Sequence, residues 1–429
     1  MISDIIKYQK SGTAKGITSI CSSNKFVLET AMLNAKNYGH SLLIESTSNQ
    51  VDQFGGYSGM TPKMFRNYVW QIADDFEYPK EKIILGGDHL GPNVWQSESV
   101  ESAMQKAEDQ IRAYVKAGFK KIHIDTSFPL GNEKNNKLST KVKTKRAARL
   151  CEVAEDTQKK SSNKISKPFY VIGTDVPVPG GAIDETDNLE VTPVEELQET
   201  ISMTKSEFLK RGLNDAWKRV IAVVVQPGVE FTDTKVFEYD RKKTADLKSI
   251  IEKDEKIVLE AHSTDYQTKE SLRQMVEDHF GILKVGPWLT FAFRESVFAL
   301  EVIEKELFSL KKGITTSQLS KIVIEEMNNN PKYWKNHYKG SNGEIYFAQI
   351  YSFSDRIRYY WNTNRIKNSI DILINNLSKS PIPLSILSQY LPKQYSSVRD
   401  GKIKNHPISL IRDKISEVLK IYNFATSGV

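Results

Sequence analysis

Two cysteines among 429 residues, Cys21 and Cys151, are too few for a disulfide framework, and no Cys-x-x-Cys pair exists for zinc or redox work. No stretch approaches the ~20 apolar residues that a membrane helix needs. The start, Met1–Tyr8, carries an acid and no long apolar run, so no signal peptide is expected and the chain is expected to be soluble and cytoplasmic. No Gly-x-Gly-x-x-Gly follows the first apolar run, which argues against a dinucleotide fold. The surplus of +7 is spread along the chain, partly over Lys141–Arg146 and partly over lysines near the C-terminus. A nucleic-acid groove needs basic residues gathered on one face with aromatic platforms between them, so this surplus reads as a solvated surface.

What the chain does have is a repeat. With 39% hydrophobic residues it can build a sizeable core. Short apolar runs alternate with longer amphipathic stretches, as parallel βα units require. The runs are Gly16–Cys21, Ser41–Glu45, Lys82–Gly86, Lys121–Asp125, Phe169–Gly173, Val220–Val225, Ile257–Glu260 and Ile282–Val285. Helices are expected at Lys25–Asn37, Pro62–Asp75, Val100–Ala117, Pro193–Arg211 and Leu289–Glu306. Thr61 and Thr192, each before a proline, read as N-caps. Eight such units predict an α/β fold, a (β/α)₈ TIM barrel over residues 1–312. Beyond it, Ser317–Asn328, Ile345–Tyr360, Ile366–Asn376, Ser385–Tyr390 and Pro407–Tyr422 predict a helical C-terminal extension, 313–429, packed on the barrel.

Barrel chemistry lies where strands run into their following loops. Those positions here are polar: Glu45, Asp88 and His89, Asp125, Asp175, Gln226, Glu260 and His262, and Gly286. Alternation puts His123 with Asp125 and Glu260 with His262 on one face, and burial against apolar helices would be costly, so these side chains are expected to point to the axis. Carboxylates converging there need an offsetting charge, and a divalent metal is the simplest source. His89 and His262 supply imidazole, while Gln226, Asp125, Asp175 and Glu260 supply oxygen. Such a metal polarises a carbonyl and holds an enediolate while Asp88 or Asp175 moves the proton.

His123 is left as a structural residue, and His40, His279, His337 and His406 lie outside the strand ends. Cys21 reads as a buried apolar cysteine. Ser263, Thr264 and Gly286, after the last two strands, are placed either for a phosphate or for ordinary helix capping. Asp355–Trp361, read as helical, carries Arg356 and Arg358, which either add a phosphate contact or dock the extension.

The segments Gly16–Ser22, Ile44–Val51, Gln53–Tyr57, Leu85–Asn93, Val176–Gly181, Val224–Phe231, Glu260–Gln267, Lys284–Pro287 and Ser354–Trp361 resemble, in order and over nearly the whole chain, a known family. It is the Z-type component of class II D-tagatose-1,6-bisphosphate aldolase (GatZ/KbaZ), from galactitol and amino-sugar catabolism. The resemblance implies a ketose or ketose-phosphate substrate and a Y-type aldolase subunit as partner, and it leaves homo-oligomerisation open. Some relatives act alone as metal-dependent 4-epimerases of ketohexoses or their phosphates.

More distantly, the barrel resembles class II fructose-bisphosphate aldolases, which hold zinc with three histidines. Their Asp-His motif matches Asp88 and His89, as proton carrier and ligand, and a later histidine matches His262. The remaining ligand falls near Gln226. A neutral oxygen there favours manganese, nickel or magnesium over tight zinc. Asp175 stands where the family pattern has glutamate, which withdraws the carboxylate by about 1.5 Å. Three functions follow: a Z-type component with a metal-assisted retro-aldol site, a stand-alone 4-epimerase, or a non-catalytic stabiliser of the Y-type subunit. The concentration of acids and imidazoles counts against the last.

Overall fold

The computed structural model describes residues 2–133, 138–161, 165–174, 189–311 and 313–428. After α1 (Ile2–Lys10) the chain alternates through β1 (Ile17–Cys21), α2 (Lys25–Tyr38), β2 (Leu42–Thr47), α3 (Pro62–Asp75), β3 (Ile83–Leu90), α4 (Val100–Lys116), β4 (Lys121–Ile124), α5 (Thr140–Lys160) and β5 (Phe169–Ile172). It continues with α6 (Val194–Lys210), the short α7 (Asn214–Trp217) and β6 (Val220–Val225). A two-stranded ribbon follows, β7 (Glu230–Phe231) and β8 (Val236–Phe237). Next come α8 (Ala245–Glu252), β9 (Val258–Ala261), α9 (Lys269–Glu277), β10 (Phe280–Val285) and α10 (Pro287–Phe308). The order β1-β2-β3-β4-β5-β6-β9-β10 closes on itself with parallel pairing throughout, which is the eight-stranded barrel that the repeat predicts.

The barrel interior is layered by strand parity. At the floor, Ile17, Leu43, Ile84, Ile221, Val258 and Ile282 pack together, and α1 seals them from below with Ile2 and Ile5. Two residues further along the same strands, the inward positions become Ser19, Glu45, Gly86, Glu260 and Lys284. Gly86 is obligatory there, because a Cβ would sit 2.7 Å from the Glu45 side chain. The outward residues of each strand join the larger core beneath the helices.

The strand β3 runs further than its apolar stretch suggests, through Asp88 and His89 to Leu90. Its register against β4 shifts between Gly87 and Leu90, and His89 takes a left-handed φ of 50°. A bulge of this kind re-aims side chains and is common beside active sites. Thr61 caps α3 as expected, accepting from Met64 N–H. Thr192 does not cap α6. Its hydroxyl instead accepts the Gln226 N–H at 2.8 Å, and its own N–H donates to the Gln226 carbonyl at 2.9 Å.

The last section comprises α11 (Leu319–Asn329), α12 (Asn342–Tyr351), α13 (Asn364–Leu377), α14 (Leu384–Tyr390), α15 (Pro392–Arg399) and α16 (Pro407–Thr426). The helix expected over Ile345–Tyr360 breaks after α12. Ser352 and Ser354 turn their hydroxyls to Asp233, Asp355 adopts φ 44°, and only a single 3₁₀ turn, Arg356–Tyr359, follows. Asp355 fastens this turn to the barrel by accepting from Thr290 at 2.5 Å and lying 3.4 Å from Arg294. The final helix, α16, returns to the barrel and lies against α2, α9, α10 and β1. Its Tyr422 hydroxyl meets Thr264 at 2.9 Å.

Candidate active site

Above the apolar floor lies a layer of charge. Lys121 Nζ is 2.6 Å from Glu45 Oε1 and 2.8 Å from Glu260 Oε2. Lys284 Nζ is 2.7 Å from Glu45 Oε2 and 2.8 Å from Asp88 Oδ1. All five groups are buried. Burial alone would raise the Asp88 carboxyl, but His89, Lys284 and His123 together hold it well below the usual carboxylate range. Burial alone would lower the Lys284 ammonium, yet Asp88, Glu45 and Glu260 keep it well above the usual lysine value. The offsetting charge assigned to a metal alone is thus partly supplied by these two lysines. Sequence reasoning missed both, although Lys121 alternates with His123 and Asp125, so the same parity argument applied to it.

Three imidazoles sit over this layer. His89 and His123 ring centroids are 5.1 Å apart, His89 and His262 4.8 Å, and His123 and His262 5.1 Å. Each has one nitrogen on a carboxylate: His89 Nδ1 with Asp125 at 2.9 Å, His262 Nε2 with Glu260 at 3.0 Å, and His123 Nδ1 with Asp88 at 2.8 Å. His123 Nδ1 is also 3.1 Å from the His89 backbone N–H, a contact that asks for the opposite tautomer. With Asp88 held ionised, the charge-assisted bond is the stronger one, so the proton belongs on Nδ1. Of the remaining nitrogens, His89 Nε2 and His262 Nδ1 are 3.1 Å apart, and buried His123 Nε2 has no partner. Burial pushes His262 down to about 3, so its ring is neutral.

Metal-bound histidines usually donate their second ring N–H to a carboxylate, as all three rings do here. Imidazoles sharing one tetrahedral ion at ~2.0–2.1 Å would have ring centres about 5 Å apart. The donor set therefore fits a divalent ion. Ligand atoms of Asp88, His123, Glu260 and His262 also lie within 4.8 Å of one another. The four carboxylates of Glu45, Asp88, Asp125 and Glu260 against two ammonium groups leave two negative charges, which one such ion would neutralise. His123, set aside from the sequence as structural, is thus brought into the cluster.

The other candidates are distributed more widely. Asp175 lies outside the described residues, as does Val176–Gly181. The Gln226 side-chain oxygen Oε1 accepts the Gly228 N–H at 2.9 Å, within its own loop. Asp125 is held by His89, Asn93 and the Ser127 N–H. Ser263 takes φ 51° and lies beside the buried Glu230 carboxyl. The Thr264 hydroxyl is fully buried and donates to the Lys284 carbonyl. The Gly286 N–H donates to Asp265. Arg356 donates to the Tyr333 carbonyl and to His337 Nδ1, and Arg358 donates to the Tyr359 hydroxyl.

A cleft of about 780 Å³ opens above His89, between the barrel mouth and the C-terminal section, with Asn93, Trp95, Tyr57, Tyr359 and Arg356 among its walls. That volume is in the range of small-molecule sites.

A parallel eight-stranded barrel with polar groups converging at its C-terminal mouth is the architecture of the TIM-barrel enzymes. The chain belongs to the D-tagatose-1,6-bisphosphate aldolase subunit GatZ/KbaZ-like family, whose model matches residues 2–427. It is 42% identical to a protein whose crystal structure is described as a probable tagatose 6 phosphate kinase from Sinorhizobium meliloti 1021, with a TM-score of 0.87 over 96% of this chain and 100% of that one. The likeness to the YdjI aldolase of Escherichia coli K12 is distant: 10% identity and a TM-score of 0.41 over 87% of this chain and 97% of that one. Fructose-bisphosphate aldolase of Campylobacter jejuni is similarly remote, at 11% identity and 0.43 over 87% and 91%. Among the described residues no helix is long and apolar enough to cross a membrane.

Proposed function

We propose that this chain is a divalent-metal-dependent component of a class II aldolase system that cleaves the C3–C4 bond of a ketohexose phosphate, and that it carries its own reaction site. The observation that carries this reading is the buried cluster of Asp88, His123, Glu260 and His262, whose ligand atoms lie within 4.8 Å of one another, with His89 Nε2 3.1 Å from His262 Nδ1. His89, His123 and His262 would hold the metal, and Asp125, Asp88 and Glu260 would fix their tautomers. When bound, the metal supplies Lewis-acid polarisation of the ketone and its neighbouring hydroxyl.

Asp88 takes the proton of the C4 hydroxyl as the C3–C4 bond breaks. The bonding pair passes into an enolate of the ketone fragment, and C4 becomes an aldehyde. Lys284 and Lys121 keep the carboxylates beneath ionised and fixed. Tyr57, Tyr359 and Arg356 wall the cleft. Asp175, as an additional proton carrier, and a Y-type subunit, as the partner that sustains full activity, complete the proposal.

A second reading, C4 epimerisation by cleavage, rotation of the aldehyde and re-addition, is favoured by one observation. The cleft and the cluster are built from one chain. Purified protein, metal-loaded, is given tagatose, fructose and their phosphates, first alone and then with a Y-type subunit. Triose release or a C4 epimer supports the reading. Full metal binding with neither product in either condition would sink it.

A further inference from the structure

Resting on the proposed ketose-phosphate reading, we infer that the phosphoryl end of the substrate is held in a separate pocket between the N-terminus of α2 and the 3₁₀ turn, with Arg358 and the Trp361 indole N–H as its donors. The pocket has a volume of about 70 Å³, and Cys21, Ser22, Ser23, Asn49, Arg358 and Trp361 are among its walls.

Three independent observations point to an anion there. First, Trp361 is only 5% exposed, yet its Nε1 has no hydrogen-bond partner. An indole nitrogen is a donor only, and leaving it unmet in the interior carries its full desolvation penalty. Second, no carboxylate among the described residues lies within ion-pair distance of Arg358. Its guanidinium is oriented by neutral acceptors, the Ser354 and Asp355 carbonyls and the Tyr359 hydroxyl. The nearby acids face elsewhere: Asp265 accepts the Gly286 and Trp288 N–H groups, and Asp355 accepts from Thr290. Third, the 14-residue helix α2 begins at the pocket wall, with Asn24 as its cap, so the positive end of its dipole is directed there.

The loop after β10 also walls this pocket, through Gly286, Pro287 and Thr290, but it offers the ligand no free backbone donor from Gly286. The N-terminus of α10 is already closed by the Asp265 carboxylate, which occupies the place of a ligand anion. Cys21 joins the pocket to the reaction site, its Sγ lying 4.0 Å from Asp88 Oδ2.

The test uses the full chain in EDTA with inorganic phosphate as the probe, read by tryptophan fluorescence and by the shift in melting temperature. Saturable binding is expected. Trp361→Phe, which keeps the ring and removes the donor, should weaken it about tenfold. Arg358→Gln should weaken it further, while Ser263→Ala leaves it unchanged. Acetate, offered in place of phosphate, should bind at least about tenfold more weakly. Equal phosphate affinity in Trp361→Phe and the parent overturns the inference, as does a loss confined to Ser263→Ala or a preference for acetate. Because the measurement excludes metal, failure of the metal reading leaves it untouched. Absent phosphate binding with full metal stoichiometry sinks this subsite alone.

Discussion

His89 Nε2 and His262 Nδ1 face each other at 3.1 Å, and each ring's opposite nitrogen is already engaged by a carboxylate. Two bare imidazole nitrogens repel at that distance unless a proton or a cation lies between them. His262→Ala is therefore expected to abolish stoichiometric metal binding, and His123→Ala to weaken it severely. Metal analysis after dialysis reads this directly, and full stoichiometry in His262→Ala would remove the site.

The carboxylates behind the rings make a subtler prediction. Asp125→Asn keeps the shape but weakens the hold on His89 Nδ1. Metal affinity should fall about 10–100-fold with little change in folding. Competition with a chelator measures it, and an unchanged affinity would mean that Asp125 serves only Asn93 and the Ser127 loop.

Lys284 ties Glu45 to Asp88 in the barrel interior. Lys284→Met should leave those acids uncompensated and cost about 3–5 kcal/mol in urea unfolding. Adding Glu45→Gln in the same chain should recover part of the loss, since the stranded charge is then gone. No recovery would mean that packing, not charge, dominates at this position.

Glu230 is buried, and that burial pushes its carboxyl from 4.5 up to about 7. Between these values the unfolded chain releases the proton while the folded chain retains it. Stability contributed by the protonated group is therefore present below the unfolded value and falls as pH rises through the window, by on the order of 3 kcal/mol. Glu230→Gln should flatten this slope and be the more stable protein near pH 8, with little difference near pH 4. Parallel slopes for the two proteins in denaturant titrations would exclude Glu230 as their source.

Asp355, at φ 44°, fastens the turn that carries Arg356 and Arg358. Asp355→Ala strands the Arg294 charge and strains the backbone, so a loss of about 3 kcal/mol is expected. Limited proteolysis should cut between α12 and α13 sooner than in the parent. Unchanged cleavage would show that the helices alone hold the turn.

The barrel was readable because its strands are short, apolar and regularly spaced, and parity alone aimed Asp125, Glu260 and His262 at the axis. The partners were harder to see. Lys121 and Lys284 look like ordinary strand ends until the closed sheet brings them to Glu45, which is distant in sequence. His123 looked structural because its role depends on the bulge that swings His89 beside it. The break after α12 depends on Asp233, a residue from a loop 119 positions away from Ser352, which no local propensity encodes.

The placing of α16 bears on how the molecule is made. Arg412 bonds Glu29, Asn423 bonds Asn34, and the Gly16 N–H bonds the Thr426 carbonyl at 3.1 Å, so the first βα unit is finished by the last helix. During synthesis the nascent barrel must wait for nearly the entire chain before its opening strand is covered. Such long-range closure slows folding and leaves apolar surface open meanwhile. The cost of this closure falls on the rate of folding rather than on the stability of the finished barrel.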